Sequence, residues 1–153
     1  LIDILLELKQ EGKIRVIGTS IHDRERAGRI ALDSEIDLLM IRYNAKHTGA
    51  ETDIFPHLAQ RNPALIAYTA LAWQQLIRPI KGLDTPPLSP ELCYRFVLSN
   101  PHVHLALTGP ANREQFKQNF TALEQGPLTS EEMEQVREYG RQVKAKKRLD
   151  YVK

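Results

Sequence analysis

Strand-type and helix-type segments alternate along this chain without interruption, and this alternation restricts its fold more than any other feature. Short apolar, β-rich segments occupy residues 14–19, 36–42, 64–69 and 103–107. A segment with helix signals follows each of them. Repeated strand-helix units of this kind predict a parallel sheet whose strands are buried on both faces.

The helix boundaries are predicted from caps, prolines and glycines. Ser89 and Pro90 are typical of an N-cap and first helical residue, Asn112 of an N-cap, and Thr129 to Glu132 of a capping box. These signals predict helices over residues 1–11, 23–32 and 51–60, a short apolar helix around Trp73, helices starting near Pro90 and Arg113, and a last helix from about 130 to 147.

Two parallel architectures fit this order: an open doubly wound sheet and part of an eight-stranded barrel. A dinucleotide-type open sheet favours a Gly-x-Gly-x-x-Gly turn, yet no two of the eight glycines are two residues apart. We therefore expect an α/β fold of one domain over residues 1–153: four parallel βα units, half of a (β/α)8 TIM barrel, with an extra C-terminal helix. Such a half-barrel leaves two sheet edges open.

Composition limits the possible partners and locations. The 153 residues carry a net charge of +2, which is too small to predict nucleic-acid or membrane binding, although a basic segment near residues 144–148 motivates a nucleic-acid alternative. One cysteine excludes an internal disulfide, and the five histidines lack metal-ligand spacing, so no metal is expected. No apolar run is long enough to span a membrane, and no secretory signal is present, which favours a cytoplasmic location.

The junction between the fourth strand and its helix is a candidate anion site. Gly109 frees the backbone to turn, and Asn112 can cap a helix that begins near Arg113. Unpaired amides and the positive end of the helix dipole would then lie above the sheet, where a phosphate is the expected ligand.

Several segments, in their order and spacing, resemble the aldo-keto reductases. These are residues 11–20, the Arg42-Tyr43-Asn44 triplet, and residues 66–71, 92–100 and 109–119. The resemblance covers essentially the whole chain and implies the C-terminal half of that family's barrel. In the family, this half mainly holds the nicotinamide cofactor, which is NADPH in most members, so the resemblance implies NADP, with NAD as an alternative.

The resemblance also implies roles for individual residues. Ser20 matches a serine that binds the nicotinamide carboxamide, and Tyr68 matches the aromatic residue on which the nicotinamide stacks. Thr69 and Leu71 match neighbours of the pyrophosphate. The positions implied for the adenosine phosphate and adenine are Gly109, Ala111, Gln115 and Asn119, with Arg113 as an extra partner for a 2′-phosphate. The chain departs from the family pattern at Ile21, Met40 and Gln118.

The implied function is the cofactor-binding half of an NAD(P)H-dependent oxidoreductase that transfers hydride between the cofactor and a small carbonyl substrate. The family's catalytic Asp, Tyr, Lys and His lie on its first four strands, so no catalytic residue is assigned and the chain alone is expected to be inactive. Leu1 falls inside a helix pattern, which indicates a piece of a larger protein. The alternative is a non-catalytic half-barrel that self-associates through its open edges, as a homodimer, and retains a nucleotide site.

Overall fold

Four parallel strands form one sheet in the computed structural model, which describes residues 1–33 and 35–150. The strands are β1 (Gly18–Ile21), β2 (Leu38–Arg42), β3 (Ala64–Tyr68) and β4 (Leu105–Ala106), and their spatial order is the order in sequence. A doubly wound sheet reverses its strand order at a switch point, whereas a barrel adds each strand beside the last. The sequential order therefore agrees with the predicted half of a barrel.

Six helices accompany the strands in the described part of the chain. They are α1 (Ile2–Gln10), α2 (Arg24–Asp33), α3 (Ala50–Asp53), α4 (Pro90–Leu98), α5 (Arg113–Gln125) and α6 (Ser130–Asp150), with a 3-10 turn at Phe55–His57. The predicted caps are confirmed. Ser89 Oγ accepts from the Leu92 amide, Asn112 Oδ1 accepts from the Gln115 amide, and Thr129 and Glu132 form the reciprocal capping box.

The two faces of the sheet differ in burial. Leu39, Ile41, Leu65 and Ala67 are at most 1% exposed, because helices cover the face from which they project. The opposite face carries Ser20, Met40, Ile66 and Leu105, which are aligned across the four strands, and Leu105 is 45% exposed. We call this second surface the open face. The expectation that the strands are buried on both faces is wrong, since nothing in the described residues covers the open face.

Close packing fixes helix α6 on the core. Val136, Tyr139 and Val143 are buried along one side of the helix. A Cβ added at Gly140 would lie 2.1 Å from the carbonyl oxygen of Ala45, so only glycine allows the two backbones to approach this closely. The loop that follows β2 is thereby held directly against the C-terminal helix.

Several predicted boundaries are corrected by the structure. The strand predicted at 14–19 forms at Gly18–Ile21, and the strand predicted at 103–107 is reduced to Leu105–Ala106. The helix predicted at 51–60 is instead the four-residue α3 and the 3-10 turn that contains Pro56, because proline cannot donate the hydrogen bond that a continuing helix needs. The helix predicted around Trp73 is a series of turns with positive φ angles.

Over residues 1–33 and 35–150, none of the helices combines the length and the apolar composition that crossing a membrane requires.

Candidate cofactor site

A cleft of about 500 Å³ lies between the segment after β3 and the start of α5. We call it the cofactor cleft. Its volume falls within the usual range for small-molecule sites. Five of the residues that the resemblance implies for the cofactor line it: Thr69, Leu71, Gly109, Gln115 and Asn119.

The wall of the cleft after β3 has an unusual backbone. Thr69, Ala72, Trp73 and Gln74 have φ angles of 59°, 47°, 54° and 67°, which lie in the left-handed region. Each such residue other than glycine costs about 1 to 2 kcal/mol, so the surrounding structure must hold this segment in place.

Asn44 supplies part of that support. Its side chain is completely buried and donates from Nδ2 to the carbonyl oxygen of Thr69 at 2.8 Å. Its Oδ1 accepts from the backbone amides of Lys46 and His47 at 3.1 and 2.9 Å. One amide group therefore joins the loop after β2 to the first strained residue after β3.

His47 lies in the same loop and is strongly perturbed. Burial lowers its pKa to about 4, and the positive charges of Arg42, Lys46, Lys144 and Arg24 lower it further in the same direction. The imidazole is neutral at physiological pH.

The opposite wall is the turn before α5, which is closed by its own side chains. Gln115 Oε1 accepts from the Ala111 amide at 2.8 Å, and Asn119 Nδ2 donates to Thr108 Oγ1 at 2.5 Å. The side-chain Nε2 of Gln115 and the side-chain Oδ1 of Asn119 remain available to a ligand. Gly109 borders open space, because a Cβ added there would have no atom within 4 Å.

Ser20 and Tyr68 are not in the cleft lining but on the open face, on β1 and β3 respectively. The hydroxyl of Tyr68 shares a 2.8 Å hydrogen bond with Nδ1 of His22. Burial raises the Tyr68 pKa, and the charge of Arg42 partly opposes this. Tyr68 directly precedes Thr69, so the open face and the cofactor cleft adjoin at this residue.

Ala111 and Arg113 do not line the cleft. The Ala111 amide already bonds to Gln115, and Arg113 is exposed at the first position of α5.

The residues present fit a nicotinamide dinucleotide. A flat aromatic ring lies at the end of a strand, a roomy cleft follows it, and the open space beside Gly109 lies next to a capped helix start. For a metal the residues do not fit, since the described part of the chain holds no group of three or more His, Cys, Asp or Glu that could bind one.

Comparisons with known proteins agree with this arrangement. The family model of the aldo/keto reductases matches residues 1–87, more than half of the chain, so the chain belongs to the aldo-keto reductase family. An aldo-keto reductase from Bacillus halodurans is similar in its holo and apo forms, each with a TM-score of 0.72 and 25% identity over 87% of this chain. A glycerol dehydrogenase from Gluconobacter oxydans shares the fold, with a TM-score of 0.69 and 21% identity over 88% of this chain.

The chain spans about half the length of these structures, 52%, 53% and 51% respectively. Among curated proteins, none matches the sequence significantly.

Three residues near the site were not predicted from the sequence to have a role. Asn44 supports the strained segment, Trp73 lines the cleft, and the Arg42 guanidinium carbon lies 5.9 Å from the centre of the Trp73 ring. Arg42 and Asn44 belong to a triplet that carries the family resemblance, and this was the one sequence feature that pointed to them.

Proposed function

We propose that this chain is the cofactor-binding part of an NAD(P)H-dependent aldo-keto reductase-like oxidoreductase. The observation that carries the proposal is the cofactor cleft, because it gathers Thr69 and Leu71 from one segment and Gly109, Gln115 and Asn119 from another, 38 or more positions further on. Two turns without a shared ligand would have no reason to face one another across a cavity of ligand size.

Each residue has a binding task in this proposal. Tyr68 offers its ring to the nicotinamide, and Ser20 hydrogen-bonds the carboxamide from β1. Thr69 and Leu71 border the pyrophosphate. The turn before α5 receives the adenosine end through Gly109, Ala111, Gln115 and Asn119, with Arg113 beside the 2′-phosphate of NADP. When bound, the cofactor supplies or accepts the hydride.

Proton transfer to a carbonyl substrate is not assigned to any residue of this chain. In the family, the Asp, Tyr, Lys and His that carry it out lie on the first four strands. We therefore expect the chain alone to bind nucleotide without reducing a carbonyl compound. Robust NADPH-dependent carbonyl reduction by the purified chain would contradict this part of the proposal.

Trp73 allows a direct test of nucleotide binding. It is the sole tryptophan of the sequence, lines the cleft and is 58% exposed. Bound NADPH should quench its emission in a saturable titration, and NADH titrated in parallel measures the preference. The absence of any saturable change with either nucleotide would refute the proposal.

Gly109→Val is the most selective variant for this titration. Its side chain would enter open space, and Gly109 has no positive φ, so the free protein should keep its stability. Nucleotide affinity should fall, because the added methyl groups occupy the proposed ligand space. Glu124→Gln, exposed near the end of α5, is the control and should bind like the parent chain.

A second candidate function is a self-associating half-barrel without catalysis. Leu105 and Leu107 are 45% and 41% exposed, and β1 and β4 each leave one edge unpaired within the described residues. Pairing of two copies would cover these surfaces. Light scattering decides between the candidates, since a strictly monomeric chain that binds NADPH supports only the first.

A further inference from the structure

We propose that the carboxyl ends of β1 and β2 bind the acidic group of an anionic carbonyl substrate, with Arg42 as the specificity-determining residue. This inference rests on the proposed function and adds a substrate class to it: small aldehydes or ketones that carry a carboxylate or a phosphate.

Arg42 is the central group of this site. It is the last residue of β2, half-buried, and the cross-strand neighbour of Tyr68. Its guanidinium lies against the Trp73 ring, and no carboxylate within the described residues forms an ion pair with it. A half-buried guanidinium has lost part of its hydration, so an incoming anion would find a cation whose charge is not already neutralised.

Other basic side chains converge on the same point. His22, Arg24, Arg42 and His47 line one small cavity whose remaining walls are apolar, and we call these four residues the basic niche. Asp53 pairs with Arg24 at 2.6 Å, whereas Arg42 is the arginine of the group without a carboxylate partner among the described residues. The cavity holds about 10 Å³, room for no more than a water molecule, so the acidic group would bind at its mouth.

The basic niche lies close to the position proposed for the nicotinamide, where hydride transfer would occur. His22 bonds to the Tyr68 hydroxyl, so the niche lies one side chain away from the ring assigned to the nicotinamide. The carboxyl ends of barrel strands are where active sites of this architecture lie. An acidic group held by Arg42 would place an attached carbonyl beside the nicotinamide. None of the four niche residues lines the cofactor cleft, although Arg42 and His47 contact Trp73, which does.

Histidine NMR signals of the purified chain provide the test. Pyruvate and inorganic phosphate are titrated at constant ionic strength, and acetone serves as the uncharged ketone. Both anions should shift the His22 and His47 signals in a saturable manner, whereas His102 and His104, which lie outside the niche, should not respond. Acetone should produce no such shift. Equal responses to sodium chloride and pyruvate would overturn the proposal, since they would indicate screening alone.

Three variants separate Arg42 from other causes. Arg42→Gln should weaken pyruvate binding by about tenfold, the effect of losing one charge-assisted contact, and Arg42→Lys should restore part of it. Arg78→Gln, which removes a cation from the cofactor cleft, should bind pyruvate normally. Unchanged binding by a folded Arg42→Gln chain would refute the assignment. If Arg42→Gln does not fold, the folded Arg42→Lys chain is the test: pyruvate binding weaker than that of the parent chain supports the role of the guanidinium, and binding equal to that of the parent refutes it.

Titrations with NADPH distinguish this inference from the proposed function. If NADPH displaces pyruvate competitively, the niche belongs to a cofactor phosphate and the inference fails. Pyruvate binding that depends on Arg42 in a chain without NADPH affinity would instead contradict the proposed function and leave the anion site standing.

Discussion

Asn44 shows how much of the candidate site depends on one buried side chain. The strained segment from Thr69 to Gln74 needs outside support, and the amide of Asn44 holds its first carbonyl. A buried polar group that keeps all of its hydrogen bonds stabilises one arrangement of the backbone over its alternatives.

We predict that Asn44→Ala destabilises the chain by about 2 kcal/mol, because two backbone amides and the Thr69 carbonyl lose a buried partner. Trp73 emission should also shift, since its loop is no longer held. Urea unfolding and fluorescence measure the two effects. Gln135→Ala, an exposed amide on α6, should change neither. An Asn44→Ala chain with unaltered stability would show that the loop is fixed by other contacts.

His47 predicts a pH dependence of stability. Its pKa is about 4 in the folded chain and near 6.5 when unfolded, so the unfolded chain takes up a proton first as the pH falls. The stability associated with the neutral ring is complete above pH 6.5 and decreases from there to about pH 4. Urea midpoints across this range should show the decrease, and His47→Gln should reduce it. An identical pH profile in His47→Gln would exclude this residue as its source.

Some residues of the candidate site were predictable from the sequence, and others were not. Thr69, Leu71, Gly109, Gln115 and Asn119 were named through the family resemblance, and the structure gathers them around one cleft. The bond from Asn44 joins residues 25 positions apart, and local patterns carry no record of such long-range contacts. The binding roles of all nine predicted site residues, including Ser20, Tyr68, Ala111 and Arg113, stay predictions.

At the scale of the elements, helix starts were predicted better than strand boundaries. Caps act within three residues, so their sequence pattern is local and complete. Strand ends depend on the partner: the Ile17 amide bonds to the Asp37 side chain, and the ladder between β1 and β2 begins only at Gly18. The turns around Trp73 had apolar residues typical of a helix, but tertiary contacts override such propensities.

Arg95 connects three helical elements, so its removal tests how much this connection contributes to stability. It is 6% exposed, bonds Glu91 and Glu132, and donates to the carbonyl oxygens of Gly126 and Pro127. Arg95→Met should destabilise the chain by about 3 kcal/mol, because a buried guanidinium is removed and several partly buried acceptors lose their donor. Chemical unfolding measures the loss.

Arg141→Met is the matched control for Arg95. Its ion pairs with Glu134 and Glu138 lie on the exposed side of α6, where solvent screening leaves such pairs a small contribution to stability. Similar losses in the two variants would contradict the assignment of Arg95 as the central connection between α4 and the start of α6.

For the molecule as a whole, the open face is the main apolar surface that no described part of the chain covers. A sheet with one buried and one accessible apolar face is expected of half a barrel, and the chain spans about half the length of its structural relatives. Accessible apolar area of this kind binds apolar dyes and favours association.

We predict that the chain binds an apolar fluorescent dye and that Leu105→Lys with Leu107→Lys reduces the bound fraction, because two exposed apolar side chains at the β4 edge of the sheet become charged. Fluorescence titration measures this effect, and light scattering of the same samples reports any change in association. Ile4→Lys, at an exposed position of α1, should have little effect. Equal dye binding by the parent and the double variant would show that the apolar surface lies elsewhere.

Because Gly140 has no side chain, helix α6 can contact the loop after β2, which supports one wall of the cofactor cleft. Gly140 packs against the carbonyl group of Ala45, which directly follows Asn44. Helix α6 therefore supports the loop whose Asn44 side chain holds the strained segment in place. A single methyl group added at Gly140 would clash with Ala45 and displace the neighbouring Asn44. Changes in the last helix should therefore alter nucleotide affinity from a distance, even though none of its described side chains lines the cofactor cleft.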